Sequence, residues 1–152
     1  MRSGVLAVLL VALLATGLTS CTSSTESYCA SLKDDKKQLT GQAAQGDLHR
    51  TVTLLAGLRD EAPDDISGEW DTLVTAIQDL VDAVDATGAK LSQFQGGRKP
   101  AGVTTGQYRA VQQAAGELSS TRVQQAGQSI EQHALDVCKV DLGGGLGGTR
   151  GG

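Results

Sequence analysis

The chain has 152 residues, 20 glycines, one Trp, two Tyr and one Phe, and a formal net charge of −4. That length supports one small domain, and so few large side chains leave it a thin core. An acidic surface repels a phosphate backbone, which excludes nucleic acid as a natural partner.

The first element is an export signal. Met1-Arg2 supplies one positive charge, and residues 4–18, GVLAVLLVALLATGL, carry none. A spanning helix needs about 20 apolar residues; this run is shorter and lacks a basic cluster after it, so it reads as the n- and h-regions of a signal peptide over 1–20. Leu18-Thr19-Ser20-Cys21 resembles the bacterial lipobox: an aliphatic residue, two small residues, then cysteine. The resemblance implies a diacylglycerol on the Cys21 thiol, cleavage just before it, and a membrane partner reached through that lipid. An uncleaved anchor and an ordinary signal peptide are the alternatives. Two acyl chains hold a protein firmly where one holds only marginally. Residues 21–25 then read as the lipidated cysteine and a short polar tether.

Helical periodicity runs through the rest. A first helix over about 26–44 places Tyr28, Leu32, Leu39 and Ala43 on one face. The second starts at Asp47, a good N-cap, carries Leu48, Val52, Leu55 and Leu58, and stops at Ala62-Pro63. The third is capped by Asp64 or Asp65, and its apolar seam continues through Ile66, Trp70, Leu73, Ile77, Leu80, Val84, Thr87, Leu91 and Phe94. Uninterrupted, that helix would measure about 45 Å at 1.5 Å per residue, unless Gly88 bends or ends it. Residues 95–105 form a loop. A fourth helix, capped by Thr104 or Thr105, turns Tyr108, Val111, Ala115 and Leu118 inward and breaks at Ser119-Ser120. The fifth buries Val123, Ala126, Ile130, Ala134 and Val137 and ends at Cys138. Residues 141–152, rich in glycine, read as a disordered tail. The fold class is therefore all-α: a small antiparallel bundle of four or five helices over 26–140, closed by one disulfide, after the signal peptide.

The disulfide follows from counting. Cleavage before Cys21 leaves all three cysteines, and lipidation of Cys21 leaves two. Export places Cys29 and Cys138 where disulfides form, so they are expected to pair; two buried free thiols are the alternative. A bridge closing about 100 residues stabilises by about 4.7 kcal/mol in the chain-entropy model, often less in practice. It would set the start of the first helix beside the end of the last, near the membrane.

Tyr28-Cys29, the stretch Glu61-Ala62-Pro63-Asp64-Asp65-Ile66 with Glu69-Trp70, and Val137-Cys138 resemble marks of a group of small actinobacterial lipoproteins and secreted proteins, over most of 26–140. The composition agrees with a GC-rich genome: there is no Asn, one Phe, three Ile and six Lys. The resemblance implies the address and the disulfide and carries no activity with it.

Chemistry is sparse. There is no HExxH, GxSxG or P-loop, and the glycines of 143–148 follow a helix and open none. No cofactor or metal is called for. His49 has Asp47 nearby in sequence, and His133 has Glu131 and Asp136; both read as solvated or structurally satisfied. The unusual feature is charge. Between Arg59 and Lys90 no basic residue occurs, while nine acidic residues do. Asp79, Asp82 and Asp85, three apart, form a stripe off the apolar seam that mildly destabilises its own helix. It is either a solvated face, matched by Lys33, Lys36, Lys37, Arg109 or Arg122, or an acidic surface for a basic partner; a divalent cation would bind it weakly. The expectation is a lipid-anchored, non-catalytic helical interaction module, with a small-ligand carrier using a pocket between helices as the alternative.

Overall fold

The computed structural model describes residues 20–40 and 47–146, and these form five α-helices with no strand among them. They are α1 Ser20–Thr40, α2 Leu48–Glu61, α3 Ser67–Asp85, α4 Thr105–Leu118 and α5 Thr121–Asp136, with a short 3₁₀ helix, Leu91–Phe94, between α3 and α4. The apolar run of 4–18 and Ala43 lie outside the described residues. Among those described, no helix is long and apolar enough to cross a membrane.

The caps explain most boundaries. The Asp47 carboxylate accepts from the Arg50 backbone N–H at 3.2 Å and starts α2. Thr104 starts α4 through a reciprocal capping box with Gln107. Ser119 ends α4, and the Ser120 hydroxyl accepts from the Val123 N–H at 3.3 Å to start α5.

The helix α3 organises the bundle, packing against α2, α4 and α5, while α1 lies on α2. It alone is buried over two adjoining stripes. The expected seam supplies Trp70, Leu73, Leu80 and Val84, and Val74, Ala76 and Val81 are buried beside it. Helix directions follow from their end contacts. Ser31, midway along α1, donates to Glu61 at the end of α2 at 2.6 Å, and Arg50 at the start of α2 donates to Gln38 near the end of α1 at 2.8 Å, so these two run antiparallel. Gln107, at the start of α4, donates to the Ala86 carbonyl just past α3, at 2.7 Å. His133, near the end of α5, meets Asp65 just before α3. Both α4 and α5 therefore run against α3, in series: α4 along its C-terminal half, where Leu80, Val84 and Val111 cluster, and α5 along its N-terminal half. The expected break at Ser119-Ser120 is the joint between them.

Several boundaries differ from expectation. Neither Asp64 nor Asp65 caps α3; Ile66 takes that position without a side-chain cap bond, because its side chain is drawn into the core and residues 64–66 turn to let it. The long third helix stops at Asp85, so it spans about 28 Å. Gly88 adopts φ +69°, a left-handed turn that ends the run. Leu91 and Phe94 still reach the core, but from the 3₁₀ helix. The tether expected at 21–25 falls within α1, which continues the register of Tyr28 and Leu32 toward the N-terminus. Ala115 faces solvent, and Ala114 packs instead. Val137, the C-cap of α5, is 46% exposed although Ala134 and Cys138 on either side of it are buried, because it lies on the opposite side of the helix end from them.

The tail expected to be disordered is partly built into the domain. Lys139 takes φ 57° and reverses the chain. The Val140 N–H bonds the Ala134 carbonyl at 2.9 Å, Val140 and Leu142 are buried, and the Leu146 N–H donates to Glu131 at 2.6 Å. The domain therefore reaches at least residue 146.

Candidate interaction surface

Cys29 and Cys138 form the disulfide, with Cα atoms 5.0 Å apart, inside the usual span. Cys21 lies in the first turn of α1. Tyr28, next to Cys29, is fully buried against the ring of Trp70, whose indole N–H donates to the Tyr28 hydroxyl at 3.0 Å. Burial pushes the Tyr28 phenol up to about 12, with the Asp65 charge adding to the effect; the Trp70 hydrogen bond opposes it. His133 lies against the Tyr28 ring, with centroids 5.8 Å apart. Its Nε2 approaches Asp65 at 3.5 Å, and its buried Nδ1 lacks a hydrogen-bond partner. Sequence proximity pointed to Glu131 and Asp136 as its neighbours, whereas folding supplies Asp65 from another element. The residues here are an aromatic wedge and its polar fittings behind the disulfide.

The acidic stripe divides in two. Asp79 and Asp82 are exposed. Asp85, half-exposed, is met by His49 Nε2 at 3.3 Å. Of the expected counter-charges, Arg122 instead engages Glu117 on α4. His49 is thus the partner that α2 brings to the stripe, a pairing invisible in sequence because 36 positions separate the two residues. The two histidines do not meet: their partners, Asp85 and Asp65, bracket α3 and lie about 30 Å apart along its axis.

Two surface hollows adjoin α3. One, about 560 Å³, lies between its first turns and α5 and is lined mainly by polar groups, among them Glu69, Thr72, Arg122, Gln125 and Ser129. The other, about 340 Å³, lies at the opposite end, between the start of α2 and the segment after α3. Leu48, Val81, Val84 and Leu91 give it apolar walls, and Asp47, His49, Asp85 and Lys90 give it a charged margin. Ser92 shares that hollow with His49 and Asp85. No group of three or more His, Cys, Asp or Glu able to hold a metal occurs among the described residues. The buried side chains of the core are hydrophobic, and none of the described residues classed as buried is charged or polar. Both hollows lie on the outside of a packed bundle. Compared with known proteins, the chain matches no family model, no curated protein and no solved structure.

Proposed function

We propose that this chain is a lipid-anchored envelope protein of actinobacterial type, held at the outer face of the cell membrane through Cys21, whose helical domain is a non-catalytic interaction module. The observation that carries the reading is the Cys29–Cys138 disulfide. It accounts for two of three cysteines and agrees with an oxidising compartment. The cysteine it leaves over is the one at the end of an apolar run, in a lipobox-like setting. The interaction role is supported by a core without buried charge and by chemically varied residues confined to the outside, with Asp79 and Asp82 exposed to a partner. A basic protein segment suits that face.

Two experiments test the two halves. Replacing Cys21 by Ser should abolish acyl labelling and processing at residue 21 and shift the protein out of the membrane fraction; an unchanged membrane fraction at the normal processed size would refute the anchor. Crosslinking of the membrane-bound protein followed by mass spectrometry should recover a specific neighbour through α3. Recovery of none refutes the interaction module.

A further inference from the structure

The hollow between α2 and the end of α3 has a division of chemistry that points to one kind of occupant. Val81 and Val84 are nearly fully buried at its base, and Leu48 and Leu91 are partly buried at its sides. At its margin the Asp47 carboxylate caps α2, His49 Nε2 lies 3.3 Å from Asp85, and Lys90 lines the same hollow. The Asp47 and Asp85 carboxylates thus each have a partner within the protein, and an apolar group entering the hollow strands neither. Alongside, the field is one-sided. At 100° per residue, Asp85 lies about 40° from Val81 on α3, Asp82 about 100° and Asp79 about 160°. The stripe thus leaves the hollow at Asp85 and climbs round the exposed face of α3 through Asp82 to Asp79. It covers about 9 Å along the axis.

We infer that this hollow and the stripe are one docking site for an extended basic peptide segment, which seats one aliphatic side chain in the hollow and lays lysine or arginine residues along Asp82 and Asp79. This rests on the interaction reading above and names its partner chemistry. A small molecule filling about 340 Å³ reaches the hollow or the stripe but not both. An extended peptide advances about 3.3 Å per residue, so three residues beyond the aliphatic one cover about 10 Å of a path of about 15 Å round the helix surface, and the reach of the last lysine side chain covers the rest. The aliphatic contact supplies affinity, and the exposed carboxylates steer and set register.

The test uses the full chain in detergent micelles, disulfide intact, and a fluorescent Leu-Lys-Lys-Lys peptide at low ionic strength, read by anisotropy. Binding is expected to weaken tenfold or more, roughly the effect of exposing a Leu side chain, when the peptide's Leu is replaced by Ser. It should weaken by about the same factor for Asp79→Lys/Asp82→Lys protein, whose changes touch only exposed positions. Ala89→Phe, which fills the hollow, should abolish the preference for Leu over Ser while leaving the lysine-dependent part. Four results would each overturn the proposal: no binding, equal binding of a Leu-Glu-Glu-Glu peptide, an Ala89→Phe variant that keeps the Leu preference, or isoamylamine matching the peptide's affinity. The last result would mark a small-ligand site instead. Membrane retention is measured separately with Cys21→Ser, so failure of the docking site leaves the anchor standing or falling by itself.

Discussion

Tyr28 and Trp70 meet at the centre of the larger core cluster, and each is fully buried. The Trp70 indole N–H spends its one donor on the Tyr28 hydroxyl. Replacing Tyr28 by Phe keeps the ring and strands that donor, which should cost about 1–3 kcal/mol, measured as a lower midpoint in urea. The same residue makes the fold sensitive to alkali. In the unfolded chain Tyr28 ionises near 10, whereas burial raises it to about 12 in the fold. The unfolded state thus releases a proton the folded state still holds, so stability is complete below about pH 10 and falls as pH rises toward 12. Tyr28→Phe should remove this loss, visible as a flatter dependence of melting temperature on pH between 9 and 12.

At the scale of elements, two devices tie the first and last parts of the described domain together. The disulfide ties α1 to the end of α5 across 109 positions. Its removal by Cys29→Ala/Cys138→Ala should cost about 2–5 kcal/mol, read from denaturant unfolding against the oxidised protein. The second device is the returning segment of tail after Lys139. Leu142 is 2% exposed, and Leu142→Ala should destabilise by about 2–3 kcal/mol through the emptied volume. A disordered tail would give no measurable change, so the same unfolding experiment decides between the two. That tail is also where composition misleads: Gly143 and Gly144 adopt positive φ, and the leucines spaced between glycines find the core. A glycine-rich stretch is flexible only until its few apolar side chains have somewhere to go.

For the whole molecule, one end carries the disulfide and the N-terminal side of α1, and the other carries the hollow beside Asp85. With Cys21 in the first turn of an unbroken α1, the proposed lipid is coupled to the domain through helix, with no flexible linker between them. The hollow lies toward the opposite end of α3, where a partner would find it. Asp79 and Asp82 lie at exposed positions, so the bundle is expected to fold without their carboxylates. Asp79→Lys/Asp82→Lys should leave the melting temperature unchanged or slightly raised, since positions 79 and 82 still carry like charges while positions 82 and 85 become an opposite-charge pair. A fall of several degrees in a thermal scan would show instead that these carboxylates support the bundle.

Local signals in this chain were legible because they depend on nearest neighbours. Asp47, Thr104 and Ser120 start helices with their own side chains, and Ala62-Pro63 ends one. The 3.6-residue spacing of Tyr28, Leu32 and Leu39, or of Trp70, Leu73, Leu80 and Val84, marks the buried faces. Counting cysteines was enough to expect Cys29 with Cys138. What the tertiary structure decided depends on contacts between distant segments. Val74, Ala76 and Val81 are buried because α3 is covered from more than one side, which a single amphipathic stripe does not foretell. The pairing of His49 with Asp85 and of His133 with Asp65 requires the helix directions. The seam from Ile66 to Phe94 kept its period past Asp85 although the backbone turned at Gly88, since periodicity records which side chains reach the core and not whether one helix carries them there.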